Sequence, residues 1–237
     1  MSIKVVLFDL DGTLLPMDQD VFVKSYFGRL AKRLAPLGYE PEALIKSIWV
    51  GTSAMIKNDG KKTNEEVFWD TFAAIHGEDA RAHMPEFENF YKEDFPKVKE
   101  SCGYDPDAAK ALYEIKKAGL RVALATNPIF PEIATRQRIE WAGLTPTDFE
   151  LFTTYENSRH SKPNPKYYED VTKALGVSPK DCLMVGNDVS EDMIAESLGM
   201  KVFLIPHHVI NKENKDLSAY PQGNFSDLVK YVKENIL

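Results

Sequence analysis

Two aspartates stand one residue apart at the end of an apolar run near the start of the chain. The segment reads Asp9-Leu10-Asp11-Gly12-Thr13, and the apolar residues before it are rich in β-branched side chains. Carboxylates can bind a cation, attack an electrophile or transfer a proton. Gly12 allows the chain to turn after the run, so that Asp9 and Asp11 can both reach one site.

Two other interpretations compete for these aspartates. A calcium-binding EF-hand places glycine at the sixth position of its ligand loop, whereas Gly12 directly follows Asp11, so that pattern fails. A plain turn or helix cap that uses the two aspartates would also explain the motif. The motif alone therefore fits either a reactive or cation-binding pair of aspartates or a local turn.

Thr126 and Asn127 follow a second apolar run, over residues 121–125. A hydroxyl or an amide at a strand end, ahead of a helix, can hold a phosphate group. A plain helix N-cap explains the same two residues.

Lys162 precedes Pro163-Asn164-Pro165. A single lysine is usually a solvated surface charge. However, Pro165 is well suited to begin a helix, which would hold the backbone beside Lys162 rigidly. A fixed ammonium group could neutralise both a carboxylate nucleophile and a phosphoryl oxygen.

An acidic cluster follows a third apolar run, over residues 182–185: Gly186-Asn187-Asp188 and, after two residues, Glu191-Asp192. Acidic residues are favoured at a helix start by the helix dipole. That effect accounts for Glu191 and in part for Asp192. It explains less well why the cluster lies at a strand end behind a glycine.

The elements that must position these residues alternate between strands and helices. Short apolar runs predict buried strands over residues 3–10, 121–125, 182–185 and 201–205, with a weaker candidate over 152–155. Helices are predicted over about 106–118, 131–142, 165–175, 191–198 and from 225 onward. This order predicts an α/β fold with a doubly wound parallel sheet, whose reacting groups lie at the carboxyl ends of the strands.

Residues from about 16 to 103 interrupt that alternation. Apolar residues recur there at helical spacing, and Thr63 with Glu66 forms a capping-box pattern. We therefore expect residues 16–103 to form an all-helical insert, and residues 1–15 and 104–237 to form the α/β core.

Composition narrows the function classes. The 237 residues are 43% hydrophobic and carry a formal net charge of −7. Such an acidic chain repels nucleic acid, and no apolar stretch is long enough to span a membrane. The two cysteines do not form a secreted disulfide framework. We expect a cytoplasmic monomer or homodimer.

Together and in this order, the four motifs resemble those of the haloacid dehalogenase-like superfamily. The insert resembles the mobile cap that many members carry after the first motif, in the branch of phosphoglycolate phosphatase and β-phosphoglucomutase. The resemblance implies that Asp9 is the nucleophile, that Asp11 is the acid–base group, that Thr126 and Asn127 hold the phosphate, and that Lys162 orients Asp9 and contacts the phosphate.

The resemblance also implies a Mg²⁺ cofactor. Its ligands would be the Asp9 side chain, the Asp11 carbonyl and an acidic residue of the fourth motif. Family members often place aspartate directly after the glycine, where this chain has Asn187. We favour Asp188 as the ligand because the site needs negative charge, with Asn187 as the alternative. Asp192 would hold the lysine or a metal-bound water.

The implied function is hydrolysis of a small-molecule phosphomonoester by a Mg²⁺-dependent phosphatase through an aspartyl-phosphate on Asp9. A phosphomutase on the same core is the alternative. A haloacid dehalogenase needs no leaving-group acid, so Asp11 argues against it. A non-catalytic binding protein would normally have lost Asp9 or Lys162.

Overall fold

The sheet at the centre of the fold has four parallel strands in the order β2-β1-β3-β4. The computed structural model describes residues 3–236. The strands are β1 (Val5–Phe8), β2 (Arg121–Leu124), β3 (Cys182–Gly186) and β4 (Lys201–Leu204). The predicted α/β class is confirmed, and all four firmly predicted strands form.

The register of the sheet brings the strand ends level with each other. Phe8, the last residue of β1, pairs with Leu124 of β2 and Val185 of β3. The hydrogen bonds continue one residue further, because the Asp9 amide donates to the Val185 carbonyl at 2.9 Å and the Ala125 amide donates to the Phe8 carbonyl at 2.7 Å. The polar segments that follow the three strands therefore emerge at one edge.

Helices cover both faces of the sheet. Side chains alternate along a strand, so Val6 and Phe8 pack on one face while Val5 and Leu7 pack on the other. The core helices are α5 (Pro106–Lys117), α6 (Glu132–Trp141), α7 (Pro165–Ala174) and α8 (Phe225–Asn235). The first face packs against α5, α6 and α8, and the second against α7. Burial on both faces explains why the strands are continuous apolar runs.

Two predicted core elements differ in the structure. Residues 152–155 do not form a strand, since Phe152 makes only an isolated bridge to Leu124. The predicted helix over 191–198 is instead a 3₁₀ helix over Met193–Leu198. Asp188 bends the chain before it by accepting the amides of Ser190 and Glu191 on Oδ1, which delays the start of a regular turn.

Residues 16–103, inserted after β1, contain four α-helices: α1 (Gln19–Leu34), α2 (Pro41–Ile56), α3 (Asn64–His76) and α4 (Met84–Glu93). The predicted capping box forms at α3, where the Thr63 amide donates to Glu66 at 2.7 Å and the Glu66 amide donates to the Thr63 hydroxyl at 3.2 Å. The expected all-helical cap on an α/β core is confirmed. No helix within residues 3–236 is both long and apolar enough to cross a membrane.

The two chain segments that join the cap to the sheet run side by side. Met17 and Cys102 form an antiparallel bridge, and the Gly103 amide donates to the Pro16 carbonyl at 2.7 Å. A second contact lies at the start of α3, where the buried Asn64 amide donates to the Pro128 carbonyl and to the Ser161 hydroxyl, both at 3.0 Å. These contacts hold the cap against the core both at the connecting segments and at the start of α3.

Gly12 makes the turn that follows β1. Its φ is +85°, which L side chains rarely adopt, and a Cβ there would collide with the Asn187 side chain. Gly38 has a similar φ of +86° but no atom within 4 Å of an added Cβ. Glycine is therefore needed at position 12 both for the positive φ and for the close approach between the segments after β1 and β3.

This pair of glycines gives a matched test. We predict that Gly38→Ala lowers the free energy of unfolding by about 1 kcal/mol, from backbone strain alone. Gly12→Ala should cost about 2–4 kcal/mol because it also displaces Asn187. Urea denaturation measures both, and equal losses for the two variants would contradict the close-approach argument.

Candidate active site

A buried lysine joins two carboxylates at the edge where the strands end. Lys162 is 1% exposed, and its Nζ lies 2.9 Å from Asp9 Oδ1 and 2.6 Å from Asp192 Oδ1. Burial disfavours the charged ammonium, but Asp192 and Asp9 outweigh that effect and raise the pKa of Lys162 well above its usual range. The lysine is therefore a fixed cation and not the solvated surface charge that lone lysines usually are.

The segment before α7 holds Lys162 in place. Asn164 caps α7 by accepting the Lys166 amide at 3.1 Å, and Pro165 begins the helix, as its sequence position predicts. On the other side, the Ser161 hydroxyl donates to the Met55 carbonyl of the cap at 3.2 Å. The backbone beside Lys162 is thus tied to both the core and the cap.

Thr13 and Asn187 support the other side of Asp9. The Thr13 hydroxyl lies 3.0 Å from both Asp9 Oδ2 and Asn187 Oδ1. The Asn187 amide nitrogen donates to the His208 carbonyl at 2.7 Å. Because both ends of the Asn187 side chain have protein partners, this residue connects segments of the core.

Asp188 and Asp192 are joined through the backbone after β3. The Asp188 amide donates to Asp192 Oδ2 at 2.9 Å, while Asp192 Oδ1 accepts from Lys162. Asp188 Oδ1 accepts two backbone amides in its own turn, and within residues 3–236 no group donates to its Oδ2. Asp188 therefore keeps one oxygen free beside the cavity.

Thr126 and Asn127 lie at the carboxyl end of β2. The Thr126 carbonyl accepts from the hydroxyls of Thr153 and Tyr167, at 2.6 and 2.9 Å, which fixes the backbone there. The Asn127 amide nitrogen donates to Glu191 Oε2 at 2.9 Å, whereas Asn127 Oδ1 is buried and has no hydrogen-bond partner in the part of the chain that the structure describes.

Glu191 also belongs to this site, a role that the sequence did not indicate. Burial, together with the charges of Asp188 and Asp9, raises the pKa of Glu191 to about 7, against the opposing effects of Lys162 and Asn127. The helix-dipole explanation of Glu191 is therefore incomplete, because its carboxyl group faces the other acids.

Arg138 of α6 is a second residue that sequence reasoning missed. It is fully buried, forms an ion pair with Asp11 Oδ2, and stacks over the Phe130 ring at 4.4 Å from the centroid. Burial is the largest effect on Asp11 and, with Asp9, raises its pKa, although Arg138 opposes the rise. A usable signal existed, since Arg138 lies at helical spacing from the buried Ala134 and Trp141.

The oxygen atoms near Asp9 suit a hard cation such as Mg²⁺. Asp11 Oδ1 is buried without a partner among residues 3–236, and Asp188 Oδ2 is free. In that range no three acidic, histidine or cysteine side chains form a metal cluster by themselves. The predicted ligand set is compatible with this because it needs only two carboxylates, with a backbone carbonyl and water completing the shell.

A cavity of about 800 Å³ opens at this edge, between the sheet and the cap. It is lined by seven of the predicted site residues and by the additional residue Glu191. The seven are Asp9, Asp11, Thr126, Asn127, Asn187, Asp188 and Asp192. Lys162 lies directly behind Asp9. The structure thus brings all the predicted site residues together at one place.

The family model of haloacid dehalogenase-like hydrolases matches residues 3–195. A phosphoglycolate phosphatase from Aquifex aeolicus is 26% identical over 237 residues, covering 99% of both chains.

Solved structures share the fold. A phosphatase of the family from Thermococcus onnurineus matches with a TM-score of 0.62 at 21% identity, covering 99% of this chain and 100% of its own. An L-2-haloacid dehalogenase from Xanthobacter autotrophicus matches with a TM-score of 0.57 at 18% identity, covering 98% and 99%. From the matched family model and the phosphatase relatives, we conclude that the chain belongs to the haloacid dehalogenase-like hydrolase family, as an enzyme of its capped phosphatase branch.

Proposed function

We propose that this protein is a Mg²⁺-dependent phosphatase that hydrolyses a small-molecule phosphomonoester through an aspartyl-phosphate on Asp9. The observation that carries the proposal is the buried Lys162 held between Asp9 and Asp192, at a cavity that Asp188 and Thr126 also line. A fixed cation next to a carboxylate lowers the repulsion between that carboxylate and an anionic phosphoryl group.

In the first step, a carboxylate oxygen of Asp9 attacks phosphorus and the bond from phosphorus to the alcohol oxygen breaks. The leaving alkoxide takes a proton from the Asp11 carboxyl group, whose raised pKa favours the protonated form. Thr126 and Asn127 would hold the phosphoryl oxygens during the transfer, since Asn127 lines the cavity at the end of β2.

In the second step, water attacks the phosphorus of the aspartyl-phosphate. Asp11, now a carboxylate, takes the proton of the water, and the bond to Asp9 breaks to release inorganic phosphate. Arg138 is a positioning residue in this scheme, because its buried guanidinium holds Asp11 between the two proton transfers.

The Asp9 and Asp188 side chains and the Asp11 carbonyl would hold Mg²⁺. Bound Mg²⁺ would neutralise charge on the carboxylates and on the phosphoryl group. We assign the acidic ligand of the fourth motif to Asp188, because Asn187 already uses both ends of its amide within the protein.

We also propose that residues 16–103 form the cap domain and that the paired segments at Met17 and Cys102 act as its hinge. Such a cap would close over the substrate and exclude water from the first step.

Both cysteines are unpaired, which suits the cytoplasm, where we place the protein as a monomer or homodimer.

Asp9→Asn tests the nucleophile. We expect turnover of a phosphomonoester to fall at least about 1,000-fold, because an amide cannot form the acyl-phosphate. Asp79→Asn, an exposed aspartate outside the cavity, is the matched control and should keep full activity. Borohydride reduction of acid-quenched enzyme, followed by mass spectrometry, should locate the phosphorylated residue at position 9. A phosphoenzyme that persists in Asp9→Asn would contradict the assignment.

Chelation tests the metal. We predict that excess EDTA abolishes turnover and that Mg²⁺ at a hundred times its Kd stabilises the fold by about 2.7 kcal/mol, measured as a rise in the unfolding midpoint. Asp188→Asn should lose most of that rise, whereas Asp79→Asn should keep it. Activity that is unchanged in excess EDTA would refute the role of the metal.

A further inference from the structure

The cavity extends well beyond the catalytic carboxylates. Its volume of about 800 Å³ lies in the upper part of the range of roughly 300–1,000 Å³ that is typical of small-molecule sites. A phosphate group would fill only the end near Asp9. The rest of the cavity must therefore receive the alcohol portion of the substrate.

Aromatic rings form much of the wall in that outer part. Phe27 of α1 and Trp49 of α2 meet at 5.4 Å between centroids, and Phe68 and Trp69 of α3 also meet at 5.4 Å. Trp49 is 49% exposed, which is unusual for a large ring on a cavity wall. An aromatic group on the substrate would cover it and could pack edge-to-face against these rings.

The cations on the same wall are already neutralised or exposed to solvent. Lys92 pairs with Glu88 at 3.5 Å, and Arg136 pairs with Glu132 at 2.6 Å. Lys212, the remaining lining cation within residues 3–236, lies exposed in the segment after β4. The wall therefore provides no buried positive charge for a second anionic group on the substrate.

Two further acids on the wall would repel such a group. Glu65 and Glu156 line the cavity, and neither forms an ion pair in the described range 3–236. Both oxygens of Glu156 accept the Glu132 amide, at 2.9 and 3.0 Å, which fixes that carboxylate at the start of α6. A carboxylate or a second phosphate on the substrate would thus meet negative charge.

We propose that the preferred substrate is a phosphomonoester whose alcohol portion carries an aromatic ring and no second negative charge. The inference rests on the proposed phosphatase function and names its substrate class. It excludes small acid phosphates such as phosphoglycolate as preferred substrates. The ring would lie among Phe27, Trp49 and Phe68, with the phosphate at Asp9.

Three alkyl phosphates test the proposal, because their leaving alcohols have similar acidity and differ mainly in the group at the far end. These are propyl phosphate, 3-phenylpropyl phosphate and 3-carboxypropyl phosphate. We expect kcat/KM to be at least about tenfold higher for the phenylpropyl ester than for the propyl ester, because binding buries the apolar surface of the ring away from water. The carboxypropyl ester should be the poorest of the three.

Two variants locate the effect. Trp49→Ala should lower kcat/KM for the phenylpropyl ester at least about threefold more than for the propyl ester. Tyr113→Ala, which removes a 63% exposed ring on α5 outside the cavity, should change neither value. Equal kcat/KM for all three esters, or preference for the carboxypropyl ester, would overturn the substrate class alone. Failure to hydrolyse any ester, p-nitrophenyl phosphate included, would instead overturn the proposed phosphatase function.

Discussion

The site depends on the ion-pair network in which the Lys162 ammonium joins Asp9 and Asp192. Removing these charges from water costs several kcal/mol per ion, so the arrangement persists only while all three groups stay together. Lys162 comes from the segment before α7, Asp9 from the end of β1 and Asp192 from the segment after β3. The parallel register of the sheet, which ends β1 and β3 level with each other, is what makes this meeting possible.

Much of the core could be predicted from the sequence because its signals are local. The buried strands are short apolar runs, and the turns after them carry residues with restricted roles, such as Gly12 and Pro165. The capping box at Thr63 fixed the start of α3 for the same reason. The carboxyl ends of parallel strands meet at one edge of a sheet, so the grouping of Asp9 with Asp188 followed from the predicted doubly wound fold together with the family resemblance.

The features that could not be predicted arise from contacts between distant segments. Helical spacing in α6 indicates that Arg138 is buried, but its pairing with Asp11 depends on how α6 packs over the edge of the sheet. The sequence explained Glu191 by the helix dipole alone. In the structure Glu191 is buried and accepts a hydrogen bond from the Asn127 amide, which places it in the site. The strand expected over residues 152–155 failed because pairing with β2 stops after a single bridge. Secondary-structure propensity describes each of these segments on its own and does not report the contacts between them.

The most direct test of the account is a crystal structure with Mg²⁺ and beryllium trifluoride, which mimics a phosphoryl group on a carboxylate. The account predicts beryllium on an Asp9 oxygen, with the metal between Asp9 and Asp188 and Lys162 still in contact with both Asp9 and Asp192. A metal bound away from Asp188, or a fluoride complex that leaves Asp9 free, would contradict it.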